Sequence, residues 1–285
     1  MDGVISWNRR YSAPAKLNLF LHVVGRRPDG YHLLQTAFRL IDCCDWLSFA
    51  PRSDGTVRLA KTLLGVHEDD ELAVRAARLL KAETGAQQGV EIAIEKNIPV
   101  GGGLGGGSSD CATALTVLNR LWGLNLPRER LSSLALSLGA DVPFFLFGSN
   151  AFAEGVGEVL EPLSVPPAWY VVLVPPVAVS TASIFSAPEL TRNTQTIKIS
   201  SFSAGFGRND LEPVVCRRHA EVAAHLLWLR QFGDARMSGS GACVFAEFAT
   251  EREARSVLSR MPAGMKGFAV RGLDRHPLAA LLYEG

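Results

Sequence analysis

Hydrophobic and polar positions along this chain fall into short segments of two periods. Residues 12 to 24 alternate, with Leu17, Leu19, Leu21 and Val23 on one face and Lys16, Asn18, Phe20 and His22 on the other, which predicts a strand. A turn at Pro28-Asp-Gly30 leads into Tyr31 to Phe38 and a second strand at Trp46 to Ala50. Apolar Leu72, Ala76, Leu79 and Leu80 recur at helical spacing, so a helix runs to Glu83, capped by Asp69 or Asp70 and ended by Gly85. A strand at 90–95 follows, then helices over 108–122 (Ala112, Leu115, Leu118, Trp122) and 128–138, and a strand at 144–147. Pro162, Pro166 and Pro167 mark a change of register, which divides the chain into residues 1–160 and 161–285. Beyond them the pattern predicts a strand at Tyr170 to Val174, a polar stretch from Arg192 to Arg208 and a helix from Pro213 to Arg230. A glycine turn at Ser238-Gly-Ser-Gly-Ala242, a strand at Cys243 to Phe248, a helix at 251–260 and a strand at 267–271 complete it. Strands and helices mix without strict alternation, so the expected class is α+β in two domains.

Composition narrows the partners. The 285 residues are 47% apolar and 20% charged, and 29 basic against 28 acidic residues leave a net charge of +1. That balance provides no electrostatic footprint for nucleic acid or an anionic membrane, and neither partner is expected. The first ten residues hold no apolar run of signal-peptide length, so a cytoplasmic location is expected. Five cysteines without a C-x-x-C pair read as small buried apolar residues rather than metal or redox groups.

The segment Pro99 to Thr113 carries the chemistry. It places six glycines among residues 101 to 107, directly before a predicted helix. Glycine amides approach an anion closely, and the helix start adds unpaired N–H groups and a positive dipole end. Gly101, Gly103 and Gly106 fit G-x-G-x-x-G, yet the chain runs on into another helix where a dinucleotide fold needs a strand ending in an acidic residue. No Gly-Lys-Ser/Thr follows, which excludes a Walker loop, and no protein-kinase signature is present. A flexible linker is the bland alternative, but linkers seldom open into an amphipathic helix. A phosphoryl-transfer site also needs a cation and a carboxylate. Lys16, on a strand with one apolar face, and Asp141, between Gly139 and Val142-Pro143, are the candidates, though either alone reads as a solvated surface charge.

Four motifs in order, Pro14-Ala-Lys-Leu-Asn18, the glycine loop, Gly139-Ala-Asp-Val-Pro143 and Ser238-Gly-Ser-Gly-Ala242, resemble those of the superfamily of galactokinase, homoserine kinase, mevalonate kinase and phosphomevalonate kinase. Ala13 to Leu21, Arg27-Pro-Asp-Gly-Tyr-His32, Gly101 to Ser109 and Ala151-Phe-Ala-Glu-Gly-Val-Gly157 are more similar still to the branch that phosphorylates a cytidine-diphosphate-linked methylerythritol in non-mevalonate isoprenoid synthesis. The Tyr31-His32 block and the lack of a sugar-kinase signature set the chain apart from relatives acting on mevalonate, homoserine or a sugar. A non-catalytic nucleotide-binding regulator would have no need of both Lys16 and Asp141.

The resemblance implies transfer of the ATP γ-phosphoryl group to the 2-hydroxyl of that substrate, with Asp141 orienting and deprotonating the hydroxyl and Lys16 stabilising the charge. It implies ATP contacts from Lys96, Pro99, Val100, Gly101, Gly102, Gly103, Leu104, Gly105, Gly106, Gly107, Ser108 and Ser109, with Mg²⁺ accompanying the nucleotide. Substrate contacts fall to Asn18, Tyr31, His32, Thr181 and Phe185, the aromatic residues stacking on the pyrimidine. A monomer or weak homodimer is expected. Two departures from the family stand out: Cys111, where alanine is usual, is expected to make the loop thiol-reactive, and Ala182, where proline is frequent, to loosen the segment before Phe185.

Overall fold

The computed structural model describes residues 5–62, 67–203 and 205–283. Two long antiparallel strands, β1 (Arg10–Arg26) and β2 (His32–Arg52), are joined by the turn that Gly30 makes at a φ of 93°. After them come β3 (Val57–Leu59), α1 (Leu72–Thr84), β4 (Gly89–Glu95), α2 (Gly106–Leu121), α3 (Arg128–Leu138), α4 (Val142–Phe147), β5 (Ala151–Glu154) and β6 (Val159–Pro162). The second half holds β7 (Trp169–Leu173), α5 (Thr181–Phe185), α6 (Glu212–Arg218), α7 (Ala220–Leu229), β8 (Arg236–Met237), β9 (Val244–Phe248), α8 (Glu251–Leu258), β10 (Gly267–Leu273) and α9 (Ala279–Tyr283). The α+β class is as the sequence predicts.

Among the described residues the strands form one sheet, in the order β3-β4-β2-β10-β7-β9-β8, with β1 along the other edge of β2 and the β5–β6 hairpin pairing with its start. The end of β10 pairs with Leu40 and Ile41 of β2, which stitches the two halves together. Three apolar clusters follow the sheet. The first packs Leu47 and Phe49 against α1, α2 and α4, the second packs Val171 and Val244 against α6 and α7, and the third lies between them around Phe20, Ile41, Leu104 and Phe245. β1 threads all three: Tyr11 and Ala13 join the first, Ala15, Leu17, Leu19 and Phe20 the third, and Leu21 and Val23 the second. Lys16 and Asn18 therefore sit where the halves meet, and both faces of β1 are buried, including the one the alternation marks as polar.

Four predicted features differ, the first being the strand expected at Trp46 to Ala50, which is only the end of β2, itself beginning at His32. The strand expected at 144–147 is the helix α4: a short run such as Phe144-Phe145-Leu146 is consistent with either element when buried on all sides, and Pro143 in the first turn favours the helix. Helix α1 is capped by Glu71, whose carboxylate accepts from the Ala73 amide, while Asp69 and Asp70 belong to a preceding 3₁₀ turn. The helix expected from Pro213 to Arg230 is two, α6 and α7, broken where His219 takes an extended backbone.

Candidate active site

Helix α2 opens on Gly105, which has no side chain to cap it, so the first-turn amides stay available to an anion. Gly103 and Gly105 both need the left-handed region, at φ of 74° and 73°. At Gly103 a Cβ would also run into the Ser238 carbonyl, and at Gly105 it would lie 3.1 Å from Lys16 Cγ and Cε. The Ser238 hydroxyl donates to the Gly103 carbonyl at 3.0 Å, and the Ala242 and Cys243 amides donate to the Gly101 and Gly102 carbonyls. The second glycine turn is thus the floor on which the first is folded.

Lys16, only 2% exposed, reaches across this floor. Its Nζ donates to Asn18 Oδ1 at 2.5 Å and lies 3.2 Å from Asp141 Oδ2, and the Asn18 amide in turn donates to Thr36 Oγ1 at 2.9 Å. The ammonium also stands 5.3 Å from the centre of the Phe38 ring. Asp141 occupies the N-cap position of α4 but makes no capping hydrogen bond, so its carboxylate faces Lys16 instead of the helix amides. The buried lysine is aimed by the strand, and the carboxylate by the helix start that the pattern 144–147 did not reveal.

Both groups open into a cleft of about 830 Å³, a size that suits a small-molecule ligand. Gly101, Gly103, Gly105 and Ser108 line one part of it and Tyr31, His32 and Phe185 another, with Lys16, Asn18, Thr36, Asp141 and Thr181 also in its wall. His32 and Phe185 pack their rings at 5.0 Å, Tyr31 stands 65% exposed above them, and Thr181 shares a 2.7 Å hydrogen bond with Ser240. The His32 Nε2 accepts from Arg192 Nε at 3.0 Å; burial first, then the charges of Arg192 and Arg26, hold its imidazole below the usual histidine range.

Other predicted residues sit elsewhere. Val100 is exposed at the outer turn of the loop, Leu104 is in the central core, and Ser109 is fully buried with its hydroxyl unpartnered. The Lys96 ammonium is taken up by the buried carboxylates of Asp45 and Asp110 and does not line the cleft. Asp45 also accepts from the Asn97 and Ile98 amides, so the trio clamps β2, β4 and α2 together beneath the glycine loop. Burial pushes the Asp110 carboxyl up to about 7, Lys96 opposing the shift and Asp45 adding to it. The expectation of a reactive loop thiol is corrected: Cys111 points into the first core and burial pushes its thiol far up, which disfavours the nucleophilic thiolate. Thr36 and Arg192 carried no signal, because strand register and loop folding bring them to the site, whereas Ser238 and Ser240 were marked by the second glycine turn.

The GHMP kinases N terminal domain model matches residues 71–149 and the GHMP kinases C terminal model matches 191–267. The 4-diphosphocytidyl-2-C-methyl-D-erythritol kinase of Thiobacillus denitrificans is 64% identical over 271 residues, 95% of this chain and 98% of its own length. This chain belongs to that family of GHMP kinases. The enzyme of the same name from Nitrosospira multiformis is 63% identical over 93% of this chain and 92% of its own. The crystal structure of a 4-(cytidine 5'-diphospho)-2C-methyl-D-erythritol kinase superposes with a TM-score of 0.80 at 36% identity, covering 93% of this chain and 99% of that one. No described helix is long and apolar enough to cross a membrane.

Proposed function

We propose that the chain transfers the γ-phosphoryl group of ATP to the 2-hydroxyl of 4-diphosphocytidyl-2-C-methyl-D-erythritol. The observation that carries this reading is the 3.2 Å Lys16–Asp141 pair, set in one cleft between the glycine loop and the aromatic cluster. Asp141 Oδ2 orients the acceptor hydroxyl and takes its proton as the new P–O bond forms. Lys16, held by Asn18, stays beside the attacking oxygen and the moving phosphoryl group, where a fixed positive charge favours the transition state over the ground state. The amides from Gly101 to Ser108 cradle the triphosphate, and their prior ordering by the 238–242 turn reduces the reorganisation needed during transfer. Among the described residues there is no group of three or more metal-ligating side chains. Mg²⁺ is therefore proposed to enter on the nucleotide, bound mainly by phosphate oxygens and waters, to neutralise phosphate charge.

Another part of the cleft selects the substrate. Tyr31 and Phe185 offer faces for a pyrimidine, and His32 offers a hydrogen bond to its edge. The test is to supply ATP and Mg²⁺ with the cytidine-linked substrate, mevalonate, homoserine or galactose, and to follow phosphate ester formation by phosphorus NMR. Phosphorylation of the cytidine-linked compound alone is expected. Product from mevalonate, homoserine or galactose in its place would refute the assignment.

A further inference from the structure

Arg192 lies in the polar stretch after α5, and its guanidinium spans four acceptors. Nη2 donates to the carbonyls of Phe185 at 3.1 Å and Ala187 at 2.6 Å, Nη1 to that of Leu190 at 3.0 Å, and Nε to His32 Nε2 at 3.0 Å. A guanidinium has donors and no acceptor. His32 Nε2 must therefore present its lone pair, and the proton of the neutral ring resides on Nδ1. A neutral imidazole free of such a partner carries its proton mainly on Nε2, so the arginine reverses the intrinsic preference. Among the described residues no protein group pairs with Nδ1, and the ring lines the cleft beside Phe185.

We propose that Arg192 is a positioning and specificity residue: it holds His32 as the Nδ1–H tautomer, so that the ring reads an acceptor on the base and admits cytosine over uracil. The inference rests on the pyrimidine reading of the cleft given above. Cytosine presents an acceptor at N3, whereas uracil presents N3–H, and a fixed donor facing another donor leaves both unsatisfied. Burial and the Arg192 and Arg26 charges keep the ring neutral, so it does not gain a second proton that would abolish the distinction. The same guanidinium straps the turn that carries Phe185, so the stacking face and the edge reader are set by one side chain.

The test combines a spectrum with a ratio. Nitrogen-15 NMR of the full chain, with His32 identified by its loss in His32→Asn, should show Nε2 unprotonated and Nδ1 protonated. In Arg192→Met the proton should move to Nε2, and the preference in kcat/KM for the cytidine-linked substrate over its uridine counterpart should fall by about tenfold or more. Arg192→Lys keeps a donor but cannot span the three carbonyls; it should raise KM for both substrates while retaining the ratio. An Nε2–H signal in the unaltered protein, or an unchanged ratio in Arg192→Met, would overturn the proposal. If the unaltered protein phosphorylates neither nucleotide, the functional reading fails, and the spectrum alone still decides the tautomer.

Discussion

A lysine almost wholly removed from water needs partners, and Lys16 has three within the site: Asn18 Oδ1, Asp141 Oδ2 and the face of Phe38. The ammonium consequently occupies one place rather than a cloud of rotamers, which is what stabilising a developing charge requires. In the same cleft Phe185 packs against His32 and is proposed to act by area and stacking. Phe185→Ala should raise KM for the cytidine-linked substrate roughly tenfold, in keeping with about 1–3 kcal/mol per stacked base. The KM for ATP should hold within about twofold, and steady-state kinetics with each substrate varied would expose a parallel rise that contradicts the division of the cleft. At this scale the sequence was legible where a residue lay inside a motif, as Lys16, Asp141 and His32 do, while Phe185 came only from the resemblance. It was illegible for Thr36 and Arg192: the first becomes a neighbour of Asn18 through the β1–β2 register, and the second reaches His32 across 160 residues of chain.

Elements supply the positions. The glycine loop is legible as a run of glycines, but the reason for its conformation is the 238–242 turn beneath it, far away in sequence. Gly103→Ala should be damaging twice over, since the residue needs a positive φ and its Cβ would enter the Ser238 carbonyl. Relief requires the two turns to separate, at a cost of about 1–3 kcal/mol. The expected outcome is a KM for ATP raised at least about tenfold together with a lower unfolding midpoint in urea. Gly123→Ala, at a φ of 67° but with open space around its Cβ, should lose stability alone and keep its KM for ATP. Helix α4 shows the opposite limit of legibility. A buried helix only six residues long has no polar face, so its period disappears into a continuous apolar run. The start of that helix nevertheless gives Asp141 its aim.

For the whole molecule, the halves are joined by β1, which contributes to every core, and by β10, which returns to pair with β2. Among the groups that fix this joint is His276, whose amide donates to the Gly148 carbonyl at the end of α4 and whose Nδ1 accepts from Leu278 N. Burial lowers its imidazole to about 3. The folded protein therefore holds His276 neutral while the unfolded chain protonates it below about 6.5, and stability present above that value drains away as the pH falls toward 3. This residue should tilt unfolding free energy by up to about 1.4 kcal/mol per pH unit in that window. His276→Asn, which keeps an acceptor for Leu278 N, should flatten the slope in urea titrations between pH 6.5 and 5; an unaltered slope would mean that the ring is protonated in the folded state. Composition and periodicity pointed to an α+β chain with a phosphate loop, but they could not show that segments from both halves close on one cleft. That closure is the central claim, and Asp141→Ala tests it most directly, by single-turnover phosphoryl transfer in a preformed complex with ATP and the cytidine-linked substrate. The rate should fall at least about a thousandfold, with the dissociation constants of both ligands within about threefold of the unaltered protein. A rate above a tenth of normal, or loss of ATP binding in step with the rate, would contradict the placement of Asp141 at the acceptor hydroxyl.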